Sequence, residues 1–69
     1  MGFSGKRLRI SLTADSEQGQ LHAGEYAVIV VQMGTIQEGI REYSVRLDSG
    51  KVIDLKPSEV ELLDPPPAA

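Results

Sequence analysis

Polar and apolar residues alternate with a period of two in several short stretches of this chain, as they do in β-strands with one solvated face. Residues 7–12, Arg-Leu-Arg-Ile-Ser-Leu, show this alternation and predict a first strand whose Leu and Ile side chains face the core. Residues 13–24 are rich in turn formers, and Leu21 is their one large apolar residue. We expect a long surface loop there, held against the core by Leu21.

A second strand is predicted over residues 25–33, where a β-branched apolar run lies between two glycines. The run is too short for a typical globular helix. Alternation divides it into two faces, one with Ala27, Ile29, Val31 and Met33 and the other with Tyr26, Val28 and Val30. Both faces are largely apolar, so the second face needs a cover. Either strong bending within the chain or a second subunit could provide that cover.

The clearest pattern is a β-hairpin formed by residues 43–55. Apolar residues alternate with polar ones on both sides of the turn formers Asp-Ser-Gly at residues 48–50. A three-residue loop with its glycine in the left-handed bulge position places Val45 opposite Ile53, on one apolar face. A two-residue loop would instead oppose Val45 to Asp54 and place a carboxylate among apolar groups, so we reject that register.

Three further segments complete the predicted architecture. Residues 34–41 contain two glycines and indicate a connecting loop or an extension of the flanking strands. Pro57-Ser58-Glu59 suits a one-turn 3-10 break, and residues 60–62 resume the alternation as a short last strand. One domain is predicted over residues 1–63, followed by a Pro-rich tail at 64–69 that we expect to be extended and mobile.

At 69 residues the chain has room for one domain with a modest core. It contains no Cys and one His, so neither disulfides nor the usual zinc sites are expected to stabilise it. Association with itself or with a partner is the remaining route. No stretch approaches the roughly 18 apolar residues of a membrane-spanning helix, and the first residues lack the apolar region of a signal peptide. We therefore expect a cytoplasmic protein without membrane contact.

The net charge is −3, and the charges are unevenly distributed along the chain. Lys6, Arg7 and Arg9 lie within the first twelve residues, which contain no acid, whereas the rest of the chain carries all ten acids. A mostly acidic body is a poor general nucleic-acid binder, because such affinity comes chiefly from clustered Lys and Arg at phosphates. The simpler interpretation of the three cations is a basic outer face of an edge strand, where they discourage aggregation.

The sequence contains no pattern that dictates catalysis. His22 is the single imidazole that could activate a Ser or Thr nucleophile, and we assign it no role in its polar loop. Neither a G-x-S-x-G motif nor a glycine-rich phosphate-binding motif is present. We predict a non-catalytic protein with no catalytic, metal-binding or cofactor-binding residues.

The order of the predicted elements resembles that of SH3-like barrels. Residues 42–62, Glu-Tyr-Ser-Val-Arg-Leu-Asp-Ser-Gly-Lys-Val-Ile-Asp-Leu-Lys-Pro-Ser-Glu-Val-Glu-Leu, look like the last three strands of the Tudor-like and KOW-like domains of that superfamily. The resemblance implies an all-β fold, a small SH3-like barrel of about five strands with a one-turn break before the last. It says almost nothing about function, because this fold hosts many activities.

Two activities of such barrels are poorly supported by the residues. Tudor-like recognition of methylated Lys or Arg needs a cage of several aromatic rings. This chain offers Phe3, Tyr26 and Tyr43, and the hairpin register buries Tyr43. Type II dihydrofolate reductases, also SH3-like barrels, build their site at the centre of a tetramer. Their Val-Gln-Ile-Tyr motif would fall on residues 52–55 here, Val-Ile-Asp-Leu, where the Gln and Tyr are missing.

These observations favour a non-catalytic interaction module, either an accessory subunit or a self-associating small barrel. Its partner, a protein or a second copy, is predicted to contact Tyr26, Val28, Val30, Arg41 and Arg46. The first alternative is a KOW-like nucleic-acid-binding module that uses Lys6, Arg7 and Arg9. The second alternative is a small oligomeric enzyme with its site at a subunit interface.

Overall fold

The computed structural model describes residues 4–63, which form a single antiparallel sheet of five strands with one short helix and one 3-10 turn. In chain order the elements are β1 (Arg7–Ile10), α1 (Glu17–Leu21), β2 (Tyr26–Thr35), β3 (Gly39–Leu47), β4 (Val52–Leu55), the 3-10 turn (Pro57–Glu59) and β5 (Val60–Leu62). The strand order is β4-β3-β2-β1-β5, so β4 and β5 are the sheet edges. The interpretation of β1 as an edge strand is wrong, because β1 pairs with both β2 and β5. The predicted all-β class, with its one-turn break before the last strand, is confirmed. The predicted tail at 64–69 lies outside the described residues.

The core lies on one side of this sheet, which we call the inner face. Alternate residues of β1 to β4 point to it, because successive side chains of a strand point to opposite sides. Its buried apolar side chains are Leu8, Ile10, Ala14, Ala27, Ile29, Tyr43, Val45, Leu47, Ile53 and Leu55. A fully buried aliphatic side chain stabilises a fold by about 1.5–3 kcal/mol, so this cluster is the main source of stability.

The β3–β4 hairpin has the register that the sequence predicts. Val45 lies opposite Ile53, and Tyr43 lies opposite Leu55. The amide of Gly50 donates to the carbonyl of the last β3 residue at 2.8 Å, and Gly50 has a φ of 99°. This φ is strained for a residue with a Cβ, so the glycine permits the three-residue loop. Turn chemistry and alternation therefore specify the same hairpin.

β2 and β3 form a second, longer hairpin, so residues 34–41 extend the two strands, which was one of the two predicted outcomes. β2 continues to Thr35, and β3 begins at Gly39. Gly34 has a φ of 104°, and a Cβ there would overlap the carbonyl oxygen of Gly39 and lie 3.1 Å from the Arg41 amide. The close approach of the two backbones therefore requires glycine at residue 34.

A β-bulge at Val30 changes which side chains of β2 face the core. Ile29 pairs with Val45 but Val31 pairs with Ser44, so Val30 is the extra residue. Ile29, Val31 and Met33 were predicted on one face, and this is wrong, because the bulge puts Val31 and Met33 on the opposite face, where Val31 is 51% exposed. A uniform period of two cannot reveal the bulge, since one inserted residue reverses the side of every residue that follows.

β1 is shorter than predicted. It ends at Ile10, and Leu12 is exposed instead of buried. The Ser11 hydroxyl accepts a hydrogen bond from the Thr13 amide at 3.1 Å and lies 2.9 Å from the Thr13 hydroxyl. This contact between a side chain and the backbone turns the chain away from the sheet before Leu12, as serine commonly does in turns.

The predicted surface loop at 13–24 contains α1, which the residue pattern did not indicate. Ser16 caps this helix, because its hydroxyl accepts a hydrogen bond from the Gly19 amide at 3.0 Å. Leu21 was expected to hold the segment against the core, and this is wrong, because Leu21 is 65% exposed. Ala14 and Gly19 are the buried residues of the segment. A five-residue helix with a central glycine has weak intrinsic stability, so α1 depends on such tertiary contacts.

Candidate interaction surface

The other side of the sheet, which we call the outer face, carries four rows of neighbouring side chains set by the strand register. One row is Glu61, Arg9 and Tyr26 on β5, β1 and β2. The next is Arg7, Val28, Arg46 and Val52 on β1 to β4. The third is Val31, Ser44 and Asp54 on β2 to β4, and the fourth is Met33 and Glu42 on β2 and β3. Directly opposed residues share a face of the sheet, so the members of each row are neighbours.

Valines and one tyrosine form an exposed apolar strip along β2 at the centre of the outer face. Tyr26 is 45% exposed, Val30 39% and Val31 51%, and Val28 between them is half-buried. Val52, 55% exposed, adds an apolar side chain two strands away. The second face of β2 was predicted to need a cover, and residues 4–63 leave it open. Contiguous exposed apolar surface of this kind marks interaction sites on soluble proteins.

Four of the five residues predicted to contact a partner lie together on this face. The four are Tyr26, Val28, Val30 and Arg46. Arg41 is exposed but separate, because it is the extra residue of a second bulge near the tip of the β2–β3 hairpin. The prediction missed Val52 and Val31. The predicted hairpin register could have identified Val52, because it places Val52 opposite an arginine. The side of Val31 could not be predicted, because it depends on the bulge.

Charges of both signs surround the apolar strip. Arg7 Nη1 lies 3.5 Å from Asp48 Oδ1, and Arg9 Nε lies 3.2 Å from Glu61 Oε1. Both pairs are solvent-exposed, so each stabilises the fold by about 1 kcal/mol or less. They nevertheless compensate two of the three cations considered for nucleic-acid contact, Lys6 being the third. This pairing weakens the nucleic-acid alternative, because phosphate affinity depends on cations free to replace counterions.

A buried carboxylate, Glu59, joins the 3-10 turn to the start of α1. It is 1% exposed. Its Oε2 accepts a hydrogen bond from the Ser16 amide at 2.8 Å, and its Oε1 accepts one from the Lys56 amide at 2.9 Å. Burial raises the pKa of Glu59, but hydrogen bonds from Ser16 and Lys56 and the Lys56 charge outweigh burial and lower that pKa below its ordinary value. No local pattern distinguishes this acid from a surface acid, so the sequence did not reveal it.

An exposed ion pair lies beside this carboxylate. Lys56 Nζ is 2.8 Å from Asp15 Oδ1, and this contact lowers the pKa of Asp15 and raises the pKa of Lys56. A Cβ at Gly19 would overlap the Glu59 carboxylate and lie 2.8 Å from the Ala14 Cβ. We call Glu59, Ser16, Gly19, Lys56 and Asp15 the Glu59 cluster. Its polar groups bind one another, so the cluster explains how the chain folds and not what it binds.

The aromatic and imidazole side chains lie apart. Tyr26 is on the outer face, whereas Tyr43 is buried in the core, where burial raises its pKa. Phe3 lies outside the described residues. His22 is half-buried, with its Nδ1 2.9 Å from Glu25 Oε2. The two described tyrosines point to opposite sides of the sheet and therefore cannot form one aromatic cage.

Residues 4–63 offer few candidates for other kinds of site. Among residues 4–63, no group of three or more His, Asp or Glu could hold a metal ion. Within the same range, no helix is long and apolar enough to cross a membrane. A shallow depression of about 460 Å³ lies beside α1, lined by Glu17, Gln18, Gln20 and Leu21. One short helix supplies these four side chains, which do not define a class of substrate.

Comparison with known proteins assigns no family. No model of a protein family matches the chain, and neither curated proteins nor solved structures give a match. Its function must therefore be inferred from its own residues and their geometry.

Proposed function

We propose that the protein is a non-catalytic interaction module, a small barrel of the SH3-like kind that binds another polypeptide through its outer face. The observation that carries this proposal is the exposed apolar strip of Tyr26, Val28, Val30 and Val31, next to Arg46. A chain of 69 residues buries a modest core, so a partner that covers this strip would also stabilise the fold.

The chemistry of the strip supports a protein partner over nucleic acid. Protein interfaces have apolar centres in which tyrosine and arginine often carry much of the binding energy, and Tyr26 and Arg46 stand at this one. Nucleic-acid interfaces need clustered cations, and Arg7 and Arg9 are paired with carboxylates. The lack of Cys is compatible with the cytoplasmic setting that we propose.

Photo-crosslinking from the outer face, in cells that make the protein, tests the proposal. A photoreactive amino acid replaces Val31, which is 51% exposed at the centre of the strip. We expect an adduct heavier than the chain, because a polypeptide that covers the strip lies within reach of the probe. The matched control is the same replacement of Ile36, which is 63% exposed at the tip of the β2–β3 hairpin and outside the four rows.

An adduct that forms at residue 31 and not at residue 36 supports the proposed function. No adduct at residue 31, or equal adducts at both positions, contradicts it. The mass of the adduct also distinguishes a second copy from a different polypeptide. Twice 7.5 kDa indicates a second copy, and any other mass indicates a different polypeptide.

A further inference from the structure

We infer that the polypeptide covering the outer face is a second copy of this chain, packed face to face about a twofold axis that crosses β2 at Val30. The inference rests on the proposed function and names the occupant of the same surface. Two sheets then pack across the interface, and the outer faces become the centre of a two-sheet sandwich.

The shape of the outer face suits a second sheet. Val28, Val31 and Val52 are short β-branched side chains on a pleated surface, and two such surfaces pack about 10 Å apart. The five strands contain thirty residues, and at about 3.3 Å along the strand and about 4.8 Å across it these residues give a face of about 480 Å². Full contact is smaller than the roughly 800 Å² per partner of standard interfaces and matches the size of a weak dimer.

The charges of the outer face complement the same face on another copy. Within residues 4–63, Arg7 and Arg9 already have carboxylate partners, whereas Arg46 takes part in no ion pair. Asp54 accepts a hydrogen bond from the Ser44 hydroxyl at 2.7 Å and, in the same range, is paired with no cation. A complementary partner offers an acid near Arg46 and a base near Asp54, and a second copy supplies both.

A twofold axis at Val30, perpendicular to the strands and in the plane of the interface, brings Arg46 of each copy near Asp54 of the other. It places the row of Val28 and Arg46 from one copy over the row of Val31 and Asp54 from the other. Val28 then contacts Val31 of the second copy. Arg46 faces its Asp54 across the roughly 10 Å between the sheets, with a sideways offset of about one strand spacing, roughly 4.8 Å, and the long arginine side chain spans this distance. Because such an interface is isologous, each contact occurs twice.

Sedimentation velocity of the full chain, from low micromolar to millimolar concentration, tests this inference. We expect a species of twice 7.5 kDa. Val31→Asp buries a carboxylate at both apolar contacts and should weaken dimerisation by more than about tenfold. Ile36→Asp makes the same chemical change at the exposed hairpin tip and should leave the dimer unchanged.

A charge exchange tests the position of the axis. Arg46→Asp and Asp54→Arg each bring like charges together at two contacts, so each should weaken the dimer by about tenfold. The double variant again has opposite charges at both contacts and should regain the dimer. All of these side chains are exposed in one copy, and circular dichroism melting verifies that each variant is folded.

A wild-type monomer at millimolar concentration overturns the inference. So does a dimer that Val31→Asp and Ile36→Asp affect equally, or a double variant that stays monomeric. If the chain is monomeric while residue 31 crosslinks to a different polypeptide, the second copy is excluded and the proposed function stands. A monomer with no crosslink from residue 31 contradicts both.

Discussion

The β3–β4 hairpin and the segment of residues 11–24 are both connections at the surface of one small sheet, but different causes determine their conformations. The hairpin loop at 48–50 is closed by Gly50 and by hydrogen bonds between residues close in the chain. The 11–24 segment is held by Glu59, which accepts a hydrogen bond from the amide of Ser16, 43 residues earlier. One connection is specified locally and the other by a distant carboxylate.

This difference shows where a residue pattern is sufficient to predict structure. A positive φ at glycine and an alternation of apolar residues are properties of a few neighbouring positions, so the sequence displays them. The bond between Ser16 and Glu59 forms when two distant parts of the chain meet. The helix α1 escaped prediction because its five residues need tertiary contacts to remain helical.

Glu59→Ala is expected to have the largest effect. It leaves the amides of Ser16 and Lys56 without their acceptor and opens a cavity, so the free energy of unfolding should fall by about 3 kcal/mol. Urea and thermal unfolding measure this loss. Glu61→Ala is the matched control, because Glu61 pairs with an arginine at the surface and its loss should cost about 1 kcal/mol or less. If Glu59→Ala lowers the free energy of unfolding by no more than about 1 kcal/mol, the loss expected of Glu61→Ala, the buried carboxylate is unimportant.

Gly19→Ala should destabilise the protein although alanine is the better helix former by about 1 kcal/mol. A Cβ at this position would overlap the Glu59 carboxylate and lie 2.9 Å from Ser16 Oγ. Overpacking should lower the free energy of unfolding by about 2 kcal/mol. Leu21→Ala, at an exposed position of the same helix, should stay within about 0.5 kcal/mol of the wild type. A more stable Gly19→Ala protein would refute the packing of α1 against Glu59.

Gly50→Val tests the locally specified connection. No atom beyond the adjoining residues lies within 4 Å of a Cβ at this position, so a Cβ would not clash. Any loss of stability therefore comes from the φ of 99°. We expect a decrease of about 1–2 kcal/mol in the free energy of unfolding, measured by urea titration. Gly50→Asn should lose less, because asparagine tolerates the left-handed conformation better. An unchanged melting temperature in Gly50→Val would disprove the proposed turn.

Lowering the pH should destabilise the 11–24 segment before the β3–β4 hairpin. This is the smallest of the expected effects, because the change is confined to low pH. Folding lowers the pKa of Glu59, so its contribution is complete above the unfolded-state pKa of about 4.3 and is lost as pH falls through the folded-state pKa. Hydrogen exchange should show residues 14–20 losing protection before the β3–β4 hairpin. Simultaneous loss in both regions would argue against this order.

A matched pair of variants assigns this pH dependence to its source. Glu59→Gln should remove most of it, because the buried group then no longer titrates. Asp15→Asn should remove a smaller part of the pH dependence. Lys56 lowers the pKa of Asp15 as well, but this ion pair is solvent-exposed and therefore contributes less to stability. Unfolding curves measured across acidic pH compare the two variants. A larger change in Asp15→Asn than in Glu59→Gln would assign the acid sensitivity to the ion pair.

The same distinction between local and distant causes applies to the candidate site. Alternation correctly placed Tyr26 and Val28 on the second face of β2, because they precede the bulge at Val30. Beyond the bulge the alternation assigned Val31 to the wrong side, and the second bulge separates Arg41 from the other predicted contacts. The outer face was thus predictable where β2 is regular, and the bulges decided the rest.

By itself, the sequence determined the strands, the tight turn at Gly50 and the apolar character of both sides of β2. These features follow from residues within a few positions of one another, where side-chain alternation and backbone preference operate. The tertiary structure alone decided the exposure of Val31, the helix α1 and the burial of Glu59. Each of these depends on strand register or on hydrogen bonds between segments far apart in the chain, which form once the sheet has assembled.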